Sequence, residues 1–336
     1  MGCNQMGVTI GDVSRAAGVS IKTVSRVLNK EKYVAKATQE RVQKAVDTLG
    51  FRPNFAARAL AGHRSFQIAL IYDNPSPYYA QNIQAGVRAR CQESGYRMIA
   101  QPCDAQSDYL LEEICSLIEQ AQLDGVILTP PVTERTDIKD ELGRRGVRFV
   151  MTSPAKTDDT VSSAYMDQSA AAEAMTAHLI TLGHRRIGFV QGDPRYASST
   201  RRFEGYCSAL KQAGITLDPV LIRKGLYTFE TGATAARALL ALSNPPTAIF
   251  ASSDDMAAGV LAAAHRLGVA VPGQLSVAGF DDTDLASVVW PPLTTVNQPV
   301  RDLGYAAADL LFGGEDIIEQ RELPYEIVER GSTANI

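Results

Sequence analysis

The stretch TIGDVSRAAGVSIKTVSRVLN, residues 9–29, decides the fold of the first part of this chain. Its apolar residues recur at the spacing of one helix face, at Ile10, Val13 and Ala17. Thr9 with Asp12 three residues later resembles a capping box, and Gly18 is expected to end the helix. Because Ser20 can cap a second helix, the sequence predicts two short helices joined by a tight turn.

The second of these helices is expected to present a mixed polar and basic face to solvent. On the side away from its apolar residues it carries Ile21, Lys22, Ser25 and Arg26. The first turns of such a helix can enter a major groove, where its side chains meet base edges and its N-terminus faces phosphate. A third helix, with Thr38 as N-cap and Gly50 at its end, is expected to close a small core.

Charge divides the chain near residue 64. Residues 1–64 hold eleven Lys or Arg against four Asp or Glu, a net charge of +7, and the remaining 22 basic and 33 acidic residues give −11. A basic head before an acidic body points to a polyanion at the basic end, and nucleic acid is the first candidate. A basic solvated face without a partner is the alternative that charge alone leaves open.

The segment FRPNFAARALAGHR, residues 51–64, can form a two-turn helix after Pro53, with Asn54 as its cap. A helix this short is only marginally stable in isolation. Its apolar residues Ala57 and Leu60 have no evident intramolecular partner, which predicts that the segment orders on a partner helix or on DNA.

From VTIGDVSRAAGVSIKTVSRVLN through FRPNFAARALAG, residues 8–62 resemble the DNA-binding head and hinge of the lactose-repressor and galactose-repressor family. The resemblance implies that the partner is double-stranded operator DNA, with base edges contacted by Ile21, Lys22 and Arg26. It implies that the phosphate backbone is contacted by Thr23, Ser25 and Asn29. In the hinge it implies a Leu60 wedge that kinks the duplex from the minor groove, and DNA contacts that include Asn54 and Ala57.

From Phe66 onward the chain alternates short apolar runs with helical stretches. The runs begin with QIALIYD (67–73) and end with LSVAGFDD (275–282). This alternation is typical of βαβ units in a parallel sheet. It occurs in two similar sets, so an α/β body made of two doubly wound parallel-sheet subdomains is predicted behind an all-α helix-turn-helix head.

Parallel sheets bind ligands in the loops that follow the carboxyl ends of their strands. In this body those loops are rich in short polar side chains, at Asp73 and Asn74, Thr129, Gln191–Asp193, Ser252–Asp254 and Phe280–Asp282. Aromatic residues that suit the apolar face of a sugar are expected around them, namely Tyr78, Tyr79, Tyr227 and Trp290.

The body is similar, to about Thr333, to the periplasmic-binding-protein-like effector module of the same family. The similarity rests on LGHRRIGFVQG, RRFEGY, SSDDMAAGVLAAAHRLGVAVPGQLSVAGFDD and PPLTTVNQP. It implies that the effector is contacted by Arg202 of the R-x-x-G motif and by Asp281, the first acid of FDD. It adds further expected effector contacts at Asp73, Tyr79, Tyr227 and Ser253.

Donors and acceptors of this kind suit a hydroxyl-rich ligand, so a mono- or disaccharide effector is expected. A purine co-repressor would also use stacking aromatics and an Arg–Asp pair, and it remains the alternative. Where some members of the family carry Asn, this chain carries Ser253, so the resemblance does not fix the identity of the effector.

The sequence gives little support for an enzymatic function. The chain lacks the G-x-x-x-x-G-K-[ST] and G-x-G-x-x-G phosphate loops and the G-x-S-x-G elbow. Its four histidines show no i, i+4 pair and its five cysteines no zinc spacing, so no metal and no cofactor is expected. A transport solute-binding protein is disfavoured by the basic head and by the lack of a secretory signal at the N-terminus. No apolar run is long enough for a membrane span, and the odd cysteine count favours a reducing cytoplasm.

The sequence is therefore interpreted as a cytoplasmic, homodimeric transcriptional repressor that binds a pseudo-palindromic operator and is released by a carbohydrate. Its expected parts are a helix-turn-helix domain (1–52), a hinge helix (53–64) and an effector-binding and dimerisation domain (65–336). The last divides into an N-subdomain of about 65–166 and 298–325 and a C-subdomain of about 167–297 and 326–336. The ending EIVERGSTANI has no heptad helix, so no coiled-coil tetramer is expected.

Overall fold

The computed structural model describes residues 8–28, 34–51, 64–314 and 317–336. The chain divides into two compact units, residues 1–66 and 67–336, called here the head and the body. Among the described residues, no helix combines the length and the apolar character that a membrane crossing requires.

The described part of the head contains α1 (Ile10–Ala17), α2 (Ile21–Leu28) and α3 (Lys36–Leu49). The predicted capping box is present, since the Thr9 N–H donates to Asp12 Oδ2 at 2.8 Å and the Asp12 N–H donates back to Thr9 Oγ1 at 3.3 Å. Gly18 ends α1 in the left-handed conformation, with φ of 61°. The start of α3 was predicted wrongly, because the helix begins after Ala35 without a side-chain cap, so Thr38 lies inside its first turn.

The head has its own apolar core. Side chains from all three helices and from Phe51, two residues after α3, are buried in it: Val13, Ala17, Val24, Val42, Ala45 and Phe51. Val24 is fully buried while Ile21, one turn earlier on α2, is 54% exposed. The core therefore fixes which face of α2 points outward. The predicted hinge helix, 53–64, falls outside the described residues except for Arg64.

The body alternates strands and helices from its first residue. Its strands are β1 (Gln67–Tyr72), β2 (Arg97–Pro102), β3 (Gly125–Leu128), β4 (Phe149–Thr152), β5 (Ser163–Tyr165), β6 (Ile187–Gln191), β7 (Ile222–Lys224), β8 (Ala248–Ala251), β9 (Ser276–Asp281), β10 (Thr294–Asn297), β11 (Gln320–Glu322) and β12 (Glu326–Val328). Its helices are α4 (Pro77–Ser94), α5 (Leu110–Ala121), α6 (Thr136–Arg144), α7 (Gln168–Thr181), α8 (Ala197–Gln212), α9 (Phe229–Leu240), α10 (Asp254–Arg266), α11 (Asp284–Val288) and α12 (Val300–Phe312).

The strands form two six-stranded sheets, in the orders β11-β5-β4-β3-β1-β2 and β12-β10-β9-β8-β6-β7. The chain passes between the sheets three times, after β5, after β10 and after β11. All described pairings are parallel except that of β10 with β12, so the predicted parallel architecture is confirmed with one antiparallel edge. Residues at the carboxyl ends of strands from both sheets line one cavity between the two halves of the body.

Helices pack in close pairs on the sheets because small residues lie between them. A Cβ on Gly205 of α8 would stand 2.1 Å from the Ser169 carbonyl oxygen of α7, and one on Gly86 of α4 would stand 1.8 Å from the Arg301 carbonyl oxygen of α12. Only glycine allows backbones this near. Gly205, which closes the R-x-x-G motif, thereby sets the position of α8 and of Arg202 on it.

Candidate functional site

In the head, the residues expected to contact bases lie on the outer side of α2. The side chains of Ile21, Lys22 and Arg26 are exposed, whereas Thr23 and Ser25 are half-buried. No acidic residue occupies the first turn of α2, so its N-terminus offers partial positive charge without a compensating carboxylate. The other expected DNA contacts, Asn29, Asn54, Ala57 and Leu60, lie outside the described residues.

In the body, a cavity lies between the carboxyl ends of the two sheets. It is lined by Asn74, Ser76, Tyr79, Pro130, Ser153, Gln168, Tyr196, Ser198, Arg202, Tyr227, Ser253, Asp255, Asp281 and Gln298. Its volume of about 60 Å³ is smaller than the ~150 Å³ that accommodates a benzene-sized ligand. A sugar ring therefore requires the two halves of the body to separate further before it enters.

Arg202 is the central group of this cavity. Its side chain is only 4% exposed, and its Nε donates to Gln168 Oε1 at 2.8 Å while Nη2 donates to Gln298 Oε1 at 2.9 Å. Nη1 donates to the Ser252 carbonyl oxygen, and the guanidinium lies over the Phe280 ring, 3.6 Å from its centroid. A buried guanidinium needs such partners to offset its desolvation.

Asp281 faces Arg202 across the cavity. Its Oδ1 lies 3.4 Å from Arg202 Nη2, a long contact that leaves the carboxylate available to other donors. Burial raises the pKa of Asp281 well above the ordinary carboxyl value, and the Arg202 charge opposes that rise. The residue also holds a φ of 110°, a backbone conformation that a non-glycine residue rarely adopts.

Asp254, at the start of α10, has a structural role, in contrast to Asp281. It is fully buried and accepts from the Thr283 N–H at 2.7 Å, from the Thr283 hydroxyl at 3.1 Å and from the Thr295 hydroxyl at 2.6 Å. Burial raises the pKa of Asp254, and the nearby Asp281 charge raises it further. These bonds join α10 to the loop after β9 and to β10, so Asp254 holds together elements that support the cavity.

Two tyrosines of the expected effector set also line the cavity. Tyr227 has a φ of 61° and its hydroxyl lies 3.3 Å from Ser198 Oγ. Its ring covers Gly192, where a Cβ would stand 2.0 Å from the ring, so the glycine makes room for the aromatic side chain. On the other side of the cavity, burial raises the pKa of Tyr79 to about 12.

Polar atoms without partners gather in this cavity. Among the described residues, five buried side-chain atoms lack a hydrogen-bond partner, and three of them belong to cavity residues, namely Tyr79 OH, Ser153 Oγ and Gln168 Nε2. The orientation of the Gln168 amide is fixed, because its oxygen must accept from Arg202, which can only donate. Leaving three buried polar atoms unpaired costs free energy unless a ligand or water satisfies them.

The structure does not bring every expected residue into the cavity. The Asp73 carboxylate instead accepts from the Ala105 N–H at 3.0 Å, and its neighbour Asn74 lines the cavity. Trp290 is 88% exposed and lies outside the cavity, because it belongs to the loop after α11 rather than to a strand end. Ser253 lines the cavity, but its hydroxyl also caps α10 by accepting from the Met256 N–H at 3.2 Å.

Several cavity residues were not predicted. Ser153 directly follows β4, so the rule that selected other strand ends could have found it. Gln298 lies in the quoted motif PPLTTVNQP, and Gln168 begins α7; both occupy crossovers between the sheets. Tyr196 and Ser198 lie at the start of α8, which begins at Ala197, and no strand end or quoted motif marks them.

Comparisons with known proteins agree with this arrangement. Residues 9–54 match the model described as "Bacterial regulatory proteins, lacI family", and residues 176–333 match "Periplasmic binding protein-like domain". The chain is 33% identical to the HTH-type transcriptional regulator DegA of Bacillus subtilis (strain 168) over 98% of this chain and 99% of that protein.

Two solved structures resemble nearly the whole chain. One is a lac repressor dimer bound to operator and the anti-inducer ONPF, with a TM-score of 0.77, 27% identity, and coverage of 98% of this chain and 99% of that one. The other is a complex of the transcriptional regulator CelR with cellobiose, with a TM-score of 0.73, 29% identity, and coverage of 97% and 99%. The architecture predicted from the sequence is thereby confirmed.

Proposed function

The chain belongs to the LacI family of bacterial regulatory proteins, and on that premise we propose that it is a repressor released from its operator by a small carbohydrate. It is a DNA-binding transcriptional regulator, as its relatives are. The proposal concerns the sign of regulation, the class of effector and the residues that serve each.

On the DNA side, Ile21, Lys22 and Arg26 are proposed to contact base edges, and Thr23 and Ser25 the phosphate backbone. The exposed outer face of α2 supports this assignment. One such helix spans only half a site, so a homodimer on a pseudo-palindromic operator is proposed, in line with the dimeric lac repressor that the chain resembles. Because its DNA target lies there, the regulator is proposed to act in the cytoplasm.

On the effector side, the observation that carries the proposal is the gathering of unpartnered buried polar atoms around Arg202 and Asp281. Two hydroxyls and an amide N–H without partners, beside a carboxylate and a guanidinium, offer both donors and acceptors. A mono- or disaccharide presents the matching set of hydroxyl groups. The resemblance to a regulator in complex with cellobiose agrees with this class of ligand.

The aromatic side chains favour a sugar over a purine. A purine needs an open aromatic face on which to stack. The Phe280 ring is already covered by the Arg202 guanidinium, and the Tyr227 ring packs edge-on against Tyr196 with centroids 5.7 Å apart. These contacts leave Tyr227 better placed to lie beside a sugar ring than to sandwich a base.

Arg202 supplies a route from effector to DNA. Its partners Gln168 and Gln298 lie where the chain crosses between the sheets, after β5 and after β10. A sugar that takes hydrogen bonds from Arg202 competes with both crossovers and so favours a different separation of the two subdomains. By thermodynamic linkage, the factor by which the sugar changes operator affinity equals the factor by which operator changes sugar affinity.

The domain assignment is proposed with the boundaries given above. The division into units at 66 and 67 and the passage of β11 and β12 into different sheets support it. The hinge at 53–64 rests on the resemblance alone.

The test is a mobility-shift selection of operator from genomic fragments of the source organism, repeated with each of a panel of neutral and charged sugars. The expected result is a palindrome-like site whose complex dissociates with one sugar or a few closely related sugars. Binding to random DNA with equal affinity would contradict the operator proposal. A specific complex that tightens with purines and ignores every sugar would contradict the effector proposal.

A further inference from the structure

A groove continues from the effector cavity toward solvent on one side. This groove, called here the Lys156 groove, is lined by Ser153–Thr157, Tyr165–Gln168, Ala197, Ser198 and Arg201, and its volume is about 320 Å³. It shares Ser153, Gln168 and Ser198 with the cavity, so a ligand seated on Arg202 can extend into it without a break.

The groove is rich in hydrogen-bond donors and cations. Lys156 is exposed and makes no ion pair within the described part of the chain. The Arg201 guanidinium is 47% exposed, donates to the Ala155 carbonyl oxygen at 3.1 Å and lies 3.5 Å from Glu204, a pair loose enough to re-form around a ligand. The one acid of the groove, Asp167, already accepts from the N–H groups of Ser169 and Ala170, both at 2.9 Å.

The N-terminus of α8 opens into the same groove. No side chain caps this 16-residue helix, and the N–H groups of Ala197 and Ser198 find no acceptor among the described residues. A helix N-terminus of this kind attracts negative charge. Beside it stands Gln168, more than nine-tenths buried, whose Nε2 has no partner.

The other side of the cavity has no surplus of cations. There the lining residues include Asp281, Asp282 and Asp302 with Arg301, and Asp282 is paired with Arg330 at 2.7 Å while Asp281 lies 3.4 Å from Arg202. A ligand that spans the cavity therefore meets positive charge with unused donors only at the end formed by the Lys156 groove.

We infer that the effector carries an anionic substituent, a phosphate or a carboxylate on the sugar, and that this substituent lies in the Lys156 groove. It accepts from Gln168 Nε2 and the α8 N-terminus, and Lys156 and Arg201 neutralise it. The inference rests on the proposed function, since it assigns the sugar itself to the cavity around Arg202 and Asp281. Hydrogen bonds to a charged acceptor are about twice as strong as neutral ones, so the substituent would dominate selectivity.

The test uses the full-length protein and matched compounds. Glucose, galactose, fructose and ribose are each compared with their phosphorylated forms. Glucose and galactose are also compared with their uronic acids, and inorganic phosphate is included alone. Thermal unfolding identifies the compounds that bind, since a ligand specific for the folded state raises the unfolding temperature. Calorimetry then measures Kd for each bound compound and its neutral counterpart.

An anionic compound is expected to bind at least tenfold more tightly than its neutral counterpart, less so at high ionic strength. In the double variant Lys156→Met, Arg201→Met the preference falls below threefold, while the neutral counterpart binds as before. The matched control Lys211→Met, Arg266→Met removes two exposed cations elsewhere on the body and keeps the preference.

Each other outcome decides against the inference. If only neutral sugars bind, or if the anion preference survives the double variant, the Lys156 groove is not the anion site, and the proposed function stands. If phosphate alone binds as tightly as any sugar phosphate, the groove takes a free anion rather than a sugar substituent. If no compound binds, the carbohydrate proposal fails together with the inference.

Discussion

Replacing Asp281 by asparagine tests whether this acid serves the ligand or the fold. The substitution keeps the shape of the side chain and one accepting oxygen, and asparagine tolerates the positive φ of this position better than most residues. Since a hydrogen bond to a charged group contributes about 1.5–3 kcal/mol, loss of the carboxylate should raise the effector Kd about 10- to 150-fold. Operator affinity without effector should not change.

The stability of the Asp281→Asn variant should be unchanged or higher. Burial opposes the ionised form of Asp281, and its one described hydrogen bond, from Arg202, is 3.4 Å long. The matched control is Asp254→Asn, on which three donors converge at 2.6–3.1 Å. An amide offers one accepting atom instead of two, so one of these bonds is lost or must re-form with a threonine hydroxyl as the acceptor, at a cost of up to about 1–3 kcal/mol. For a body of this size that cost corresponds to roughly 2–4 °C of unfolding temperature per kcal/mol.

The measurements are thermal unfolding, calorimetry with the effector found by the sugar panel, and fluorescence anisotropy on labelled operator. If Asp281→Asn unfolds at as low a temperature as Asp254→Asn, Asp281 is a structural residue. If effector affinity stays within twofold of wild type, the carboxylate does not touch the ligand. Either result would refute the assignment of Asp281 to effector binding.

Three further predictions concern Arg26 of the head, Gly192 beneath Tyr227, and the pH dependence of effector binding. Arg26→Ala should cost about 1–3 kcal/mol on the operator and relax base preference, and equal losses on operator and random DNA in the anisotropy assay would make Arg26 a phosphate contact. Gly192→Ala should displace the Tyr227 ring, because the new Cβ would stand 2.0 Å from it. Calorimetry should then show weaker effector binding, while operator affinity stays unchanged. Unchanged effector affinity would mean that Tyr227 does not contact the effector. Because sugar hydroxyls favour the ionised form of Asp281, whose pKa burial raises, effector binding should release protons. Effector affinity should therefore rise with pH between about 4 and the raised pKa of Asp281 and level off above it. Calorimetry across that pH range should find no such rise in Asp281→Asn.

The helices and longer strands of this chain could be predicted because burial of one or both faces imposes a regular pattern on their apolar residues. In the head, the cap at Thr9 and the stop at Gly18 are local signals that tertiary packing does not override. In the body, β3 and β8 are apolar throughout, and β1 is apolar after Gln67, because helices cover both faces of the sheet. The architecture therefore followed from the sequence with little ambiguity.

The short edge elements gave no comparable signal. β5, β11 and β12 are three residues each, too short for an alternating pattern, and β11 and β12 come from the end of the chain to complete sheets that begin with β1 and β6. Such pairings are decided by distant partners rather than by local propensity. The same cause hid Gln168 and Gln298, since a glutamine at a crossover has no local feature that marks it as a partner of Arg202.

Asp73 and Asn74 show why the lining of the cavity could not be predicted residue by residue. The Asp73 backbone carbonyl oxygen accepts from the Tyr196 hydroxyl at 2.9 Å, and its Oδ2 accepts from the Ala105 N–H at 3.0 Å. The neighbouring Asn74 lines the cavity, and its Oδ1 accepts from the Ser76 N–H at 2.9 Å. Hydrogen bonds to distant loops, which have no local signal in the sequence, thus decide which of two adjacent polar side chains lines the cavity.

Arg202 is proposed to make the effector site sensitive to the separation of the two subdomains. Its hydrogen bonds to Gln168 and to the Ser252 carbonyl oxygen lie within the proposed C-subdomain, whereas Gln298 begins the segment proposed to return to the N-subdomain. A movement of the N-subdomain that carries Gln298 with it therefore breaks one hydrogen bond of Arg202 and keeps the other two. A ligand that offers Arg202 an acceptor in the wider cleft replaces that bond, and a ligand without such an acceptor leaves the present arrangement favoured. The proposed effector is thus expected to be selected by whether it can take the place of Gln298 beside Arg202.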